Sequence, residues 1–428
     1  MTRLRRMSGE TFHSLRVRNF RLFFTGQLIS QVGNWLTLIA QTLLVLKLTD
    51  SGFALGLLAA AQFGPVLFIG AFAGLVADRS EKRRLLLWVQ TFAMFQSFAL
   101  AALAFTGDPP VLAIYGVALL GGIATAFDNP ARRSFVVEIV PEADMTNAVS
   151  LNSALMTGAR VVGPALAGLL VTTVGFGWAF ALDGVSYLAV LVALLMMDPR
   201  QIRRAPVTPR GKGQVRDGLR YVRTIPELWV PLVMMAVIGT LSYNFQTVIP
   251  LFATRDMGGS DVTFTLLMSV VSVGALLGAL AAARRTSVDI TVVSWAALLF
   301  GVAMGLLTIS PGLALAYVFS FLLGLASTTF MTTSTAIVQI RSDPTMRGRV
   351  LALQAIVFLG STPIGAPIVG YVSQHYGARY GLAIGALAGL GAGAFGLFMV
   401  HRAGHDEALP EGAEADALAL QLTSRRPA

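Results

Sequence analysis

Twelve apolar stretches dominate the chain, at 20–46, 53–77, 85–106, 111–127, 148–174, 178–197, 229–252, 262–283, 290–309, 313–340, 350–374 and 380–400. A helix needs about 20 apolar residues to cross the hydrocarbon core of a bilayer. With 13% charged residues and a mean hydropathy of +0.70, no soluble core accommodates so much apolar sequence. The expected fold class is therefore all-α and integral to the membrane, with twelve transmembrane helices.

The stretches fall into two groups of six. The expected organisation is a six-helix bundle with a short N-terminal segment (1–198), a basic linker (199–228), a second six-helix bundle (229–401) and a disordered tail (402–428). The halves echo each other. Gly163-Pro164-Ala165-Leu166-Ala167-Gly168 in span 5 corresponds to Gly365-Ala366-Pro367-Ile368-Val369-Gly370 in span 11, and Val137-Glu138-Ile139 to Val338-Gln339-Ile340. Six crossings return the chain to its starting side, so the repeat is parallel, about an axis along the membrane normal. Secondary transporters with such repeats place their site near the midplane. Chance likeness between Gly- and Ala-rich helices is the plainer reading.

The net charge of +10 would suggest nucleic acid in a soluble protein. Here its distribution says otherwise. Of 32 Lys and Arg, only Lys47, Arg255 and Arg379 lie on the side away from the N-terminus, and Arg160 lies inside span 5. Cytoplasmic loops carry the excess of Lys and Arg. Both termini and the central loop are thus expected in the cytoplasm of a bacterial-type inner membrane. The cations are scattered over short loops with no binding module, so no nucleic-acid partner is expected. With no Cys, disulfides, thiolate metal sites and thiol catalysis are excluded. The basic, polar residues 1–18 and the long first apolar run do not resemble a cleavable signal. Residues 215–225 place Arg216, Arg220 and Arg223 at helical spacing, as in a helix lying at the membrane interface.

The loop between spans 2 and 3 reads Gly74-Leu-Val-Ala-Asp78-Arg79-Ser-Glu81-Lys82-Arg83-Arg84. It resembles the signature G-x-x-x-D-R-x-G-R-R of the major facilitator superfamily, with Glu81 in place of the second Gly. The likeness covers nearly the whole chain and implies two pseudo-symmetric six-helix bundles. It also implies a conformational latch in which Asp78 bridges to the start of span 11, here Arg347-Gly348-Arg349. Gly74 allows close helix packing, and a carboxylate at a helix N-terminus contributes about 0.3–1 kcal/mol. The basic residues Arg79, Lys82 and Arg83 serve topology in the plainer reading. Phe127-Asp128-Asn129-Pro130-Ala131-Arg132-Arg133 and Asn147–Ser153 resemble a narrower group, the twelve-span drug and siderophore exporters that include enterobactin and macrolide efflux proteins. Asp128 and Arg133 join the latch set, in a network with Arg132 and Glu138. The Gly/Pro run in span 5 resembles an antiporter motif with one Gly shifted. A structural kink explains it equally well.

Arg160 and Asp183 are the sharpest intramembrane signals. A charge at mid-bilayer costs at least about 2.5–3.5 kcal/mol, so such groups face the bundle interior and pair. At 1.5 Å per residue they stand about 18 and 21 Å from the cytoplasmic boundary. The expectation is that they meet, with Asp183 responding to protons and Arg160 as its counter-charge or an anion-binding residue. The alternative is a static ion pair that fixes helix packing. Polar stripes mark a cavity in spans 1, 7 and 10: Gln27, Gln31 and Asn34; Tyr243, Asn244 and Gln246; Thr328 and Thr332. Phe23, Trp35, Phe63 and Phe245 are candidate apolar contacts.

The function implied is secondary active export of a lipophilic or amphipathic small molecule, such as a drug, macrolide or siderophore, by proton antiport and alternating access. The expected partners are the small-molecule substrate, protons and membrane lipid, with a monomeric protein. No cofactor and no metal is expected, since no ATP-binding G-x-x-x-x-G-K-[ST] occurs. The four His lie at membrane edges or beyond them, with no nucleophile–base arrangement of an enzyme. The rivals are an uncoupled facilitator or importer of a metabolite, and a non-transporting sensor with the same fold.

Overall fold

The computed structural model describes residues 12–203, 214–283, 288–343 and 346–408. The first half is α1 (Arg18–Thr49), α2 (Gly52–Arg79), α3 (Lys82–Phe105), α4 (Val111–Ile139), α5 (Met145–Thr173) and α6 (Phe176–Met196). A linker helix follows, α7 (Gln214–Arg223). The second half is α8 (Pro226–Leu241), α9 (Phe245–Leu251), α10 (Asp261–Ala283), α11 (Ile290–Thr308), α12 (Leu313–Arg341), α13 (Arg347–Tyr376) and α14 (Ala378–Ala408). Twelve crossings result, each long and apolar enough to span a membrane, with α8 and α9 together forming the seventh. The exposed side chains fit a lipid solvent: Phe68, Trp88, Leu112, Leu387 and Phe398 all point outward.

The pairing of helices repeats between halves. Helix α1 packs on α5 and α6, α2 on α4, and α3 on α6. In the same way α8 packs on α13 and α14, α10 on α12, and α11 on α14. The halves join through α2 with α13 and α5 with α10, a pair of contacts that the pseudo-twofold exchanges. Small residues permit the approach, since apolar helices in lipid associate by close packing. A Cβ on Gly56 would stand 2.6 Å from the Pro367 Cα. Gly301 and Gly389 meet in the same manner, a Cβ on Gly389 falling 2.8 Å from the Gly301 Cα.

Three departures from the apolar pattern have physical causes. Helix α4 runs to Ile139, about three turns past its apolar stretch, because its charged end is paired: Asp128 with Arg132, and Glu138 with Lys82 at 2.8 Å. The seventh crossing is broken at Ser242–Asn244 and ends in a π-turn over Phe252–Asp256. Helix α14 continues to Ala408, so the expected disorder does not begin at 402. Residues 409–428 lie outside the described residues.

The two ends of the bundle differ. One apolar cluster joins the halves at the end away from the N-terminus, from Leu36, Leu55 and Phe180 to Phe252 and Phe264, and continues within the second half to Leu228, Val338 and Val350. At the near end, which holds the start of α1, the first half has a cluster of its own around Phe20, Phe23, Phe135 and Leu194. Polar bonds also tie the far end. Arg255 pairs with Asp50 at 2.9 Å, and Gln374 accepts from the Ser51 hydroxyl at 2.6 Å and from the Phe53 amide at 3.1 Å. Asp50 holds φ of 44°, a left-handed turn that aims its carbonyl at Arg255.

Candidate functional site

A cavity of 810 Å³ lies between the halves. Its rim at the near end carries Arg133, Val136 and Val149, and the joined far end closes it. Nearly all of its wall comes from α1 to α6. The second half contributes Ala275 and Ala279 of α10 and Thr328 of α12.

Asp183 lies deep in this wall and is 1% exposed. Its Oδ2 accepts from the Thr37 hydroxyl of α1 at 2.7 Å and from the Ser97 hydroxyl of α3 at 2.7 Å. Ser186 stands beside it, donating to the Asp183 carbonyl at 2.7 Å. Gly33 makes the fit possible, since a Cβ there would fall 2.5 Å from Asp183 Oδ1. The carboxyl thus joins three helices through hydroxyls.

Arg160 lies elsewhere in the same wall. Its guanidinium sits 5.5 Å from the centre of the Trp35 ring, a cation–π arrangement. Its Nε is buried and makes no hydrogen bond to the protein. Trp35 in turn rests on Gly163, where any Cβ would collide with it. The expected ion pair between Arg160 and Asp183 does not form. Helices α5 and α6 pack on opposite flanks of α1 and little on each other. Trp35 therefore meets Arg160 while Thr37, two residues on, meets Asp183. Equal height on two helices did not determine which way each side chain faces.

Of the expected cavity residues, Gln31, Asn34 and Thr328 line it. Gln27 lies behind the wall and accepts from Gln31 at 3.2 Å. Tyr243 turns away, its hydroxyl donating to the Ser327 carbonyl at 2.5 Å and its ring stacked among Phe245, Phe300 and Phe358. Asn244 donates back to the Thr240 carbonyl at 2.7 Å. Gln246 and Thr332 are half-buried outside the cavity lining. Trp35 and Phe63 face the cavity, whereas Phe23 packs on Phe135 in the core and Phe245 on Tyr243. Further lining residues, outside the polar stripes of spans 1, 7 and 10, are Gln62 of α2 and Gln90 and Gln96 of α3, with Thr37 and Ser97 as partners of Asp183. Gln90 and Ser97 lie seven residues apart, a helical spacing that marks one face of span 3. Gln62 donates to Gln41 at 2.7 Å and closes the deep end.

The residues expected to form a latch sit at the near end. Arg83 of α3 donates to the last carbonyls of α6, at 2.7 Å to Leu194 and 3.2 Å to Leu195, satisfying groups that a helix end leaves without partners. Lys82 holds Glu138 of α4. Asp128 accepts from Gln90 at 2.7 Å and pairs with Arg132, one turn away, in place of Arg133. Arg133 stands exposed at the rim. Gly74, Asp78 and Arg79 end α2, and Arg347 and Arg349 begin α13. Along that helix pair Gly56 faces Ala366 and Leu67 faces Gly360. The linker helix α7 docks on the second half: the Tyr221 hydroxyl accepts from the Asp343 amide at 3.0 Å, and Val222 is buried. Among the described residues no cluster of His, Cys, Asp and Glu could hold a metal.

Known proteins share this architecture and sequence. The chain is 23% identical to the staphyloferrin A transporter of Staphylococcus aureus, over 83% of its own length and 90% of that protein. It is 20% identical to macrolide efflux protein A of Streptococcus pyogenes, over 84% and 91%. A bacterial homologue of the human lysosomal transporter Spinster, in an inward-facing and occupied conformation, superposes with a TM-score of 0.69 at 16% identity, over 91% of this chain and 97% of that one. The family of transmembrane secretion effectors matches residues 9–427. With its twelve crossings in two matched bundles, the chain is a multi-pass membrane protein and a transporter rather than an enzyme, and it belongs to the transmembrane secretion effector family of the major facilitator superfamily.

Proposed function

We propose that the protein exports lipophilic or amphipathic small molecules of drug, macrolide or siderophore type across a bacterial-type inner membrane, in exchange for protons. The supporting observation is the cavity itself: amide and aromatic side chains line it, it opens at one end, and it contains a buried carboxyl group. The open end is the one rich in Lys and Arg, which the charge rule assigns to the cytoplasm together with both termini. In this orientation the cavity loads from the cytoplasm. A lining of Gln31, Asn34, Gln62 and Gln96 beside Trp35 and Phe63 suits a molecule that is mainly apolar with a few polar atoms.

Asp183 is the proton-responsive group in this reading. Ionised, it accepts charge-assisted hydrogen bonds from Thr37 and Ser97, and such bonds are roughly twice as strong as neutral ones. A proton on the carboxyl group weakens that grip of α6 on α1 and α3 and favours their rearrangement. Asp78, level with the start of α13 by the register of α2 on that helix, latches the near end in the opposite state.

The test is accumulation of fluorescent lipophilic dyes and macrolides in efflux-deficient cells, with and without an uncoupler. Reduced accumulation that the uncoupler abolishes is expected. Unchanged accumulation, with the protein present in the membrane, overturns the broad export reading.

A further inference from the structure

We propose that Arg160 docks an anionic group of the transported molecule, so that the cargo is an amphipathic organic anion such as a carboxylate on an apolar body. This rests on the export reading above and narrows it to a substrate class.

The argument starts from which charges in the cavity are already answered. Arg132 is paired with Asp128, and Lys82 behind it with Glu138. Asp183 has its hydroxyls. Arg160 has no acidic partner among the described residues; the face of Trp35 supports it, and the neutral phenol of Tyr243 lies within electrostatic reach. Its buried Nε has no acceptor within the protein. A guanidinium offers five donors in a planar fork, shaped for two oxygens of a carboxylate. A cation near mid-membrane is costly unless something answers it, and the protein supplies no anion to do so.

The rest of the cavity points the same way. Its charged lining residues are Arg132, Arg133 and Arg160 against Asp128 and Asp183, beside the neutral phenol of Tyr187, an excess of positive charge. The second half adds Ala275, Ala279 and Thr328, which carry no charge. Arg133 at the exposed rim draws anions inward, since a cleft lined by one sign of charge focuses its field. Trp35 and Phe63 then meet the apolar body beside the fork. A cationic cargo would meet this excess without compensation.

The sign of coupling follows. A proton on Asp183 makes the cavity more positive, so proton and anion do not compete electrostatically. Exchange with an anion must therefore run through the conformational step, in which the grip on Thr37 and Ser97 decides when the carrier may turn.

The test uses the full chain in lipid nanodiscs and three probes that share one aromatic body: 1-naphthylacetate, 1-naphthylacetamide and 1-naphthylethylammonium. Binding is followed by calorimetry. The carboxylate is expected to bind about tenfold tighter than the amide, equivalent to one charge-assisted hydrogen bond. Arg160→Gln is expected to remove that preference, the carboxylate then binding no tighter than the amide. Arg160→Lys keeps the charge without the fork and is expected to retain part of the preference. Equal binding of carboxylate and amide, tighter binding of the ammonium, or a preference that survives Arg160→Gln overturns the proposal. Dye export in cells can succeed in each of those cases, so the broader export reading stands or falls separately.

Discussion

The two halves of this transporter share a backbone plan and differ in chemistry. The pairs α1–α6 and α8–α14, or α2–α4 and α10–α12, pack alike. Yet the first half carries Asp183, Arg160, Asp128 and Arg132 into the cavity, and the second presents Ala275, Ala279 and Thr328. Several polar groups of the second half bond within that half. Tyr243 bonds to Ser327, Ser242 to the Gly385 carbonyl at 2.7 Å, and Thr333 to its own helix at 2.8 Å. The alignment of Gly163 with Gly365 sets Thr362 opposite Arg160, and Gly385 opposite Asp183. The repeat thus preserves what packing needs, small residues and prolines at helix crossings. It does not preserve the charges. The first half supplies the charged wall of the cavity, and the second an uncharged counterface.

The sharpest way to break this contrast is at Asp183. Asp183→Asn keeps the shape and the two hydroxyl contacts but cannot ionise. Uncoupler-sensitive dye efflux is expected to fall to the level of cells lacking the protein, with membrane abundance checked by immunoblot. Efflux that persists undiminished sinks the proton role. The next comparison sets Arg160→Gln against Thr362→Val, its counterpart in the second half. Export of a naphthyl carboxylate is expected to drop about tenfold for the first, the value of a lost charge-assisted bond, and to stay unchanged for the second. Equal losses in both would mean that the halves share the work.

A smaller effect is expected at Gly33. A Cβ there falls 2.5 Å from Asp183 Oδ1 and 2.6 Å from Ser186 Oγ. Overpacking a close contact costs about 1–3 kcal/mol. Gly33→Ala is expected to lower thermal stability by that order and to weaken transport, because α1 can no longer hold Thr37 against the carboxyl group. Gly391 in α14 has open space where a Cβ would go. Gly391→Ala is expected to be neutral or slightly stabilising, since Ala is about 1 kcal/mol better than Gly within a helix. Thermal unfolding in detergent separates the two.

The sequence displayed the crossings, their grouping and the positive side, because apolar length and cation placement follow directly from bilayer thickness and field. It displayed Asp183 and Arg160 as groups needing a reason. It could not show that Trp35 and Thr37 of α1 divide them, because helical rotation is set by packing against a third helix. The same limit hid the turned-in Tyr243, whose hydroxyl is as polar in sequence as any lining residue. Span 4 read short because its charged end looks like a loop until Arg132 and Lys82 are seen to answer Asp128 and Glu138. Span 7 reads as continuous because the polar residues Ser242 to Gln246 suit a cavity-lining stripe as well as the break that occurs there. In α3, Gln90, Gln96 and Ser97 were legible as a face.

The contrast between the ends gives the smallest effect. Closure at the far end rests partly on Arg255, which reaches Asp50 across the halves. Asp50 is largely exposed and Arg255 partly so, and exposed ion pairs contribute about 0.2–1 kcal/mol. Arg255→Ala is therefore expected to shift the balance towards the far-open state by no more than about fivefold, because the shared apolar cluster around Phe252 and Phe264 holds the same closure. The absence of Cys from the chain makes this measurable without background. A single Gln41→Cys, deep in the cavity, is labelled by an impermeant maleimide added from the far side only when that end opens. The labelling rate is expected to rise severalfold with Arg255→Ala and to be sensitive to salt, as a screened pair requires. A rise of a hundredfold would mean that the ion pair, and not the apolar seal, keeps the far end shut. No rise at all would assign closure to the Ser51–Gln374 contact and the apolar cluster alone.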